Sequence, residues 1–305
     1  MSELFIWGRT ALFDATYIGS FEEHLSNKSK ASVSTTCAYV RDIKQFADFL
    51  EERGRKDFSG VTANDIQSYL SSHEENGLTR TTVSRYLTSL KAFFNHMVKE
   101  GCFDKSPADG VSLASSSRKS PRLLTGDEIG RLLVQPDGQG AKNFRDKAIL
   151  ETFYATGLRV SELADLELSD VNLVTGLITC RNGNERIIPI NAAACKAISN
   201  YLSFSRNVYT SSGESALFVT TMGKRMSRQS FWKIIKIYAQ KAKIDCEINP
   251  RVLRQSFAVH MIENWADLRV LQEMLGHADI ASTQAYARAI GKNLKDEYNK
   301  AHPRA

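Results

Sequence analysis

The sequence predicts a mainly α-helical protein of two domains, with a small β-hairpin or sheet in the second domain. Three observations predict this fold class. Apolar residues recur at helical spacing through most of the first third of the chain. A run of small polar residues that ends in a proline, residues 112–121, then interrupts the pattern. Beyond it, an Asn-Gly step lies between two short β-rich runs, and further helical patterns surround them.

The first third predicts a helical bundle. A first helix is expected over residues 12–25, and a second ends at Gly54. Asn64 is a candidate N-cap of a short third helix. Thr79 begins the fourth helix, which ends before Gly101. The apolar stripe of this fourth helix comprises Val83, Leu87, Leu90, Phe94 and Met97.

The opposite face of the fourth helix carries Arg85, Ser89 and His96. Such a face of an amphipathic helix is usually solvated. Hydroxyl and basic side chains together also suit contacts with phosphate groups, which position a protein on DNA. The pattern of residues leaves both interpretations open.

The polar run at residues 112–121 predicts a linker between a domain of residues 1–111 and a domain of residues 122–305. Thr125 and Glu128 form a capping box directly after it, which predicts the start of a helix. Further helices are expected over residues 145–156, 192–206, 227–243, 250–264 and 267–275, and from residue 291. The hairpin is expected over residues 177–190, with Asn182 and Gly183 at the centre of its turn.

Composition excludes several classes of protein. With 42% hydrophobic and 24% charged residues, the chain resembles a packed protein rather than a disordered one. The formal charge of +6 is compatible with an anionic partner. Five scattered cysteines without a CxxC pair argue against a disulfide framework and a zinc site. No signal peptide, membrane span, metal or cofactor is expected, and the expected location is the cytoplasm.

Three segments carry arginines in unusual contexts. Arg159 lies at a bend after a helix in "ATGLRVSEL". Arg251 and Arg254, three residues apart in "NPRVLRQSF", are expected on one face at the start of a helix. Arg181 and Arg186 lie at the hairpin turn. A lone arginine is more often part of a surface ion pair than a ligand. The interpretation of these arginines therefore depends on which other functional residues accompany them.

The other functional residues include His277 and Tyr286, which lie nine residues apart in "LGHADIASTQAY". Arginines that converge with a histidine and a tyrosine can bind a phosphodiester in fork geometry. The tyrosine oxygen could then attack phosphorus and form a covalent phosphotyrosyl bond. Fixed cations would stabilise the negative charge of the transition state, the work that a divalent metal does elsewhere.

Several stretches resemble the tyrosine recombinase (phage integrase) family, most closely its Xer branch. They are "ATGLRVSEL", "FWKIIKIYAQKAKI", "LRQSFAVHMIENWADLRVLQEMLGHADIASTQAYAR" and the terminal "HPRA". The resemblance extends from about Phe13 to Ala305. It implies a two-domain clamp around duplex DNA, with an N-terminal helical, SAM-like core-binding domain and a C-terminal mixed α/β catalytic domain.

The resemblance also implies a role for each matching residue. Arg159 and Arg254 would hold the scissile phosphate, His277 would hydrogen-bond to it, and Tyr286 would be the nucleophile. Glu162 would support the site. The implied reaction is site-specific strand exchange through a 3′-phosphotyrosyl intermediate and a Holliday junction, without metal or cofactor. It would serve chromosome dimer resolution or the integration and excision of a mobile element.

Two positions depart from the family pattern. Cys180, Arg181 and Asn182 stand where Xer proteins usually have Gly-Lys-Gly, and Arg251 stands at the histidine of His-x-x-Arg. A guanidinium remains protonated near neutral pH and is a poor proton donor or acceptor. Arg181 and Arg251 therefore separate two hypotheses, an active recombinase and a catalytically weak Xer-like DNA-binding paralogue that acts as an accessory or partner subunit.

The implied partners are double-stranded DNA in the nucleoid and further protomers, in a homo-tetramer or a hetero-tetramer with a second recombinase. Candidate contacts to the DNA backbone are Arg80, Arg85, Lys91, Lys224, Arg225 and Arg228. A last helix carrying Leu294 and Tyr298 would expose an apolar edge unless something covers it. It either folds back on its own domain or packs on a neighbouring protomer.

Overall fold

The computed structural model describes residues 15–29, 31–113, 122–210, 213–246 and 248–287. The chain divides into two compact units, residues 1–118 and 119–305. The first unit contains the helices α1 (Ala15–Glu23), α2 (Val33–Glu52), α3 (Ala63–Glu75) and α4 (Arg80–Lys99). α1 continues as a π-helical turn, His24–Lys28.

The second unit contains eight named helices and a small sheet among its described residues. The helices are α5 (Gly126–Val134), α6 (Ala141–Thr156), α7 (Val160–Asp165), α8 (Ala192–Tyr201), the short α9 (Asn207–Tyr209), α10 (Arg228–Lys241), α11 (Pro250–Glu263) and α12 (Leu268–Leu275). The strands are β1 (Val171–Asn172), β2 (Leu177–Cys180) and β3 (Arg186–Pro189). Helical residues 280–287 follow α12. The predicted fold class, mainly α with a small sheet in the second domain, is confirmed.

Aromatic side chains fill the core of the first unit. Phe46, Phe58, Phe93 and Phe94 are all buried. Phe94 makes edge contacts with Phe46 and Phe93, and such pairs add to the hydrophobic gain of burial. The stripe predicted on α4 is buried along its whole length.

The predicted N-cap of α3 is wrong by two residues. Thr62 caps the helix, because its side chain accepts from the Asp65 backbone N–H while the Asp65 carboxylate accepts from the Thr62 N–H. Asn64 lies inside the first turn. The capping box at the start of the second domain is confirmed, with Thr125 accepting from the Glu128 N–H at 3.2 Å.

The opposite face of α4 is not the solvated face that its polarity suggests. Ser89 and His96 are buried, because α1 and α2 both pack against this helix. Ser89 donates to the buried carboxylate of Asp42 at 2.6 Å, and Arg85 pairs with the same carboxylate. Polar side chains are buried here because they satisfy one another.

The predicted hairpin is confirmed and gains one strand. β2 and β3 are antiparallel, with Cys180 opposite Arg186, and Gly183 has a φ of 84° in the turn between them. β1 pairs with β2 on the other side. Its two residues are too few to produce a periodic pattern in the sequence.

The carboxyl end of α6 meets α11 and the end of α12. Gly157 ends α6 with a φ of 58°, in the left-handed region. A Cβ at this glycine would lie 2.3 Å from a ring carbon of Phe257 and 3.1 Å from Leu275, so a larger residue would push these helices apart. The close approach brings the arginines at positions 159 and 254 to one end of the second unit.

Some predictions fall outside the described residues. They include most of the linker, residues 114–121, and the tail helix with Leu294 and Tyr298. In the part of the chain that the structure describes, no helix is long and apolar enough to cross a membrane.

Candidate active site

Four side chains from separate segments meet at this end of the second unit. Arg159 lies at the N-cap of α7, Arg254 on α11, and His277 directly after α12. Tyr286 lies in the helical residues 280–287. Arg254 Nη2 is 3.1 Å from His277 Nε2, and the rings of His277 and Tyr286 have centroids 6.1 Å apart. The structure thus brings together the four residues to which the resemblance gives the central roles.

Glu162 holds Arg159 at both its backbone and its side chain. The backbone N–H of Arg159 donates to Glu162 Oε2 at 2.7 Å, and its Nη1 donates to Oε1 at 2.8 Å. Nη2 of Arg159 reaches the carbonyl of Gly276 at 3.3 Å. The side chain is still 46% exposed, so a ligand can reach the guanidinium.

Arg254 is buried and bound mainly to carbonyl groups. Its Nη1 donates to the carbonyl of Gly157 at 2.8 Å, and its Nη2 donates to the carbonyl of Leu275 at 2.7 Å. Carbonyls orient the guanidinium without neutralising its charge. Burial and the nearby charge of Arg159 lower the pKa of Arg254 to about 10, so it stays protonated at neutral pH.

One buried carboxylate balances several guanidinium groups. Glu162 accepts from Arg186 at 3.2 and 3.0 Å in addition to Arg159, and its Oε2 lies 3.7 Å from Arg254. Burial alone would raise the pKa of Glu162, but the hydrogen bonds from Arg186 and Arg159 outweigh it and lower the pKa. One negative charge therefore faces three positive charges, and the cluster keeps an excess of positive charge that suits an anion.

The sequence pattern places Arg186 at the hairpin turn and gives it no role in the site. The structure places it at the start of β3, buried, with Nε donating to the carbonyl of Met274 at 2.8 Å. Gly276 leaves the space that it needs, because a Cβ there would lie 2.7 Å from Arg186 Nη1. Arg186 and Ile188 alternate as the buried positions of β3. An arginine on the inward face of a strand is the pattern that could have identified it.

The hydrogen bonds of His277 define its protonation. A guanidinium can only donate, so Nε2 must accept from Arg254 and the proton of the neutral ring must be on Nδ1. Nδ1 donates to Thr283 Oγ1 at 2.9 Å. Burial, followed by the charges of Arg254 and Arg159, lowers the pKa of His277 to about 4, so the ring is neutral at pH 7. Thr283 is fully buried and was not predicted as a site residue.

Residues 122–292 match the phage integrase family model, and residues 18–101 match the phage integrase N-terminal SAM-like domain. The chain belongs to the phage integrase family. It is a tyrosine site-specific recombinase, as the resemblance implied.

Similar proteins support this membership along at least 90% of the chain. The recombinase is 38% identical to tyrosine recombinase XerD of Halalkalibacterium halodurans, over 90% of this chain and 93% of that protein. It is 37% identical to tyrosine recombinase XerC of a Roseiflexus species, over 94% of this chain and 93% of that protein. A solved structure of the Tn1549 transposon integrase in complex with a circular intermediate DNA has a similar fold. The TM-score is 0.72 at 19% identity, over 91% of this chain and 99% of that one.

The two residues that depart from the family pattern lie outside the cluster. Arg181 pairs through Nε with Asp170 Oδ1 at 2.7 Å, and its side chain is 63% exposed. Arg251 is exposed in the first turn of α11, while Arg254 is turned inward. Both arginines lie at the start of α11, as expected, but only Arg254 is buried against the site. Among the described residues, no hydrogen bond or ion pair joins Arg181 or Arg251 to Arg159, Arg254 or His277.

The six residues of the recombinase that are candidate contacts to the DNA backbone fall into two groups. Arg80, Lys224 and Arg228 are exposed, and Lys91 is half-buried. Arg85 and Arg225 instead pair with carboxylates of their own unit, those of Asp42 and Glu167. A phosphate would have to compete with these carboxylates, which makes the other four the better candidates.

Proposed function

We propose that this recombinase cuts and rejoins double-stranded DNA through a covalent bond between Tyr286 and a 3′-phosphate. The observation that carries the proposal is the convergence of Arg159, Arg254, His277 and Tyr286 around a surplus of positive charge. The arrangement offers fixed donors for a phosphate beside a phenol that can attack it.

The proposed reaction is a pair of transesterifications. Tyr286 Oη attacks the scissile phosphorus, a tyrosyl–phosphorus bond forms, and the bond to the 5′-oxygen breaks. The phenol loses a proton and the departing 5′-hydroxyl gains one. A 5′-hydroxyl of a partner strand then attacks the phosphotyrosine and releases the tyrosine. The number of phosphodiester bonds is conserved, so no external energy source is required.

Arg159 and Arg254 have different parts in this proposal. The exposed guanidinium of Arg159 receives the incoming phosphate while Glu162 holds its inner edge. Arg254 is immobilised by two carbonyls and supplies a charge that needs no reorganisation when the transition state forms. Fixed donors of this kind typically contribute a factor of about 10² to 10³ in rate.

Proton transfer to the 5′-oxygen is the step that distinguishes an active recombinase from the alternative function. Arg181 stands at the position of the usual lysine, and its guanidinium is engaged by Asp170. In an active enzyme a water would carry the proton, or Arg181 would leave Asp170 when DNA binds. In the alternative, a catalytically weak DNA-binding paralogue, Arg181 stays on Asp170 and the chain assists a partner recombinase.

The wider assembly is part of the same proposal. Strand exchange between two sites requires four protomers, either four copies of this chain or two copies each with a second recombinase. The strand exchange would take place on nucleoid DNA, in chromosome dimer resolution or in the movement of a mobile element.

A nicked suicide duplex tests the proposal. Its sequence would come from genomic DNA recovered with the bound protein. The full chain should form a covalent protein–DNA adduct, and Tyr286→Phe should bind the duplex equally well without forming one. Tyr209→Phe, a matched change elsewhere in the second unit, should form the adduct normally. Tight binding without any adduct from the unaltered chain would favour the paralogue, and an adduct from Tyr286→Phe would refute Tyr286 as the nucleophile.

A further inference from the structure

We infer that Thr283 is a positioning residue that stabilises the His277 tautomer required by Arg254 and ties the helical segment of Tyr286 to the histidine. The inference rests on the proposed function, because it assigns a role within the same site. It extends that function to a residue in which the sequence shows only an ordinary polar helix position.

The geometry gives Thr283 a single well-defined contact with the site. Its side chain is fully buried, and its Oγ1 lies 2.9 Å from His277 Nδ1. On the other edge of the ring, His277 Nε2 lies 3.1 Å from Arg254 Nη2. The imidazole is therefore held between a hydroxyl and a guanidinium, and the backbone of His277 is fixed as well by Gln272.

The two partners of the ring are not equivalent. Arg254 can only donate, whereas the Thr283 hydroxyl can both accept and donate. The tautomer with a proton on Nδ1 satisfies both contacts. The other tautomer would place an N–H of His277 against an N–H of Arg254. Thr283 stabilises the first tautomer because it supplies the acceptor that a buried Nδ1–H requires.

The same hydrogen bond has a second consequence for the nucleophile. Thr283 and Tyr286 are three residues apart in the helical residues 280–287, so they lie on neighbouring positions of one helix face. A bond from His277 to Thr283 thus sets the position of the tyrosine one turn further along. In this arrangement the ring centroids of His277 and Tyr286 lie 6.1 Å apart.

The tautomer can be measured on the full chain without DNA. Nitrogen-15 spectra of histidine-labelled protein distinguish a protonated Nδ1 from a protonated Nε2, and the spectrum of His277→Gln assigns the signal. The unaltered chain should show His277 with the proton on Nδ1. Thr283→Val, which removes the hydroxyl at nearly constant volume, should move His277 toward the Nε2–H tautomer. Thr283→Ser should restore the Nδ1–H tautomer.

Cleavage of the nicked duplex gives the functional readout. Thr283→Val should lower the rate of adduct formation by about ten- to a hundredfold, because Nδ1 carries a proton both in the neutral ring and in the protonated ring that donates to a phosphate, and a buried N–H without an acceptor is costly. Thr283→Ser should recover most of that rate. Thr152→Val makes the same change at a fully buried threonine of α6 and should leave both the tautomer and the rate unchanged.

The outcomes separate this inference from the proposed function. An Nε2–H tautomer in the unaltered chain would overturn it directly, even if Thr283→Val failed to fold. A change in tautomer without a change in rate, or a change in rate without a change in tautomer, would also overturn it. Failure of the proposed function would give a different result. Either the unaltered chain would form no adduct, or Tyr286→Phe would still form one.

Discussion

Arg254 donates a hydrogen bond to His277, and this bond makes the histidine an acceptor before DNA binds. A phosphate also accepts hydrogen bonds, so it cannot use Nε2 of a neutral His277 that has its proton on Nδ1. Protonation of Nε2 would convert the ring into a donor. The arrangement therefore links the binding of a phosphate to the titration state of one histidine.

The first prediction is that DNA binding takes up a proton. In the free protein the pKa of His277 is lowered to about 4, first by burial and then by Arg254 and Arg159. A bound phosphate offsets the charges of those arginines and should raise that pKa. At pH 6 the unaltered chain should take up more protons on binding its duplex than His277→Gln does. Calorimetry in buffers of different ionisation enthalpy measures the uptake, and equal uptake by both proteins would contradict this account.

The second prediction concerns stability and pH. The unfolded chain binds a proton at His277 below about pH 6.5, whereas the folded chain binds it only below about pH 4. The stability linked to this group is therefore fully present above pH 6.5 and is lost as the pH falls toward 4. The free energy of unfolding should decline more steeply over this range for the unaltered chain than for His277→Gln. Urea titrations at several pH values supply the comparison. Parallel declines would show that the pKa of His277 is not lowered in the folded state.

The third prediction compares two glutamates. Glu162 is buried among Arg159, Arg186 and Arg254, whereas Glu167 is 44% exposed and pairs with Arg225. Glu162→Gln should lower the free energy of unfolding by about 3–5 kcal/mol, because it leaves buried guanidinium groups without a counter-charge. Glu167→Gln should cost about 1 kcal/mol or less. Chemical denaturation measures both, and similar losses for the two variants would argue that the cluster does not depend on its carboxylate.

Much of this fold follows from local patterns in the sequence. The buried stripe of α4, the capping box at Thr125 and the turn at Gly183 depend on residues close together in the chain, where spacing and turn chemistry are informative. The N-cap of α3 was misplaced because Thr62 and Asn64 are both good capping residues. Thr62 has Asp65 three residues later, and the two form a reciprocal capping box.

The site was predictable only in part. The arginine motifs indicated an anion site, and the family resemblance supplied the grouping of Arg159 and Arg254 with Tyr286. The contribution of Arg186 follows the two-residue alternation of β3, which could have indicated it, whereas that of Thr283 comes through a contact with His277 that no periodicity encodes. The separate environments of Arg251 and Arg254 depend likewise on how α11 packs, since α11 buries residues over a wide arc.

The last prediction tests whether the two unusual arginines limit the reaction. A lysine at position 181 and a histidine at position 251 could give up or take a proton near neutral pH, which a guanidinium does poorly. Arg181→Lys combined with Arg251→His should raise the rate of adduct formation and strand exchange by about tenfold or more, since a positioned acid or base typically contributes a factor of about 10² to 10⁴. The single variants show which position limits the rate.

Arg131→Lys on the exposed side of α5 is the matched control and should have no effect. A rate that stays the same or falls in the double variant would mean that the recombinase works through its arginines and that their charge, rather than a proton, is what the site requires.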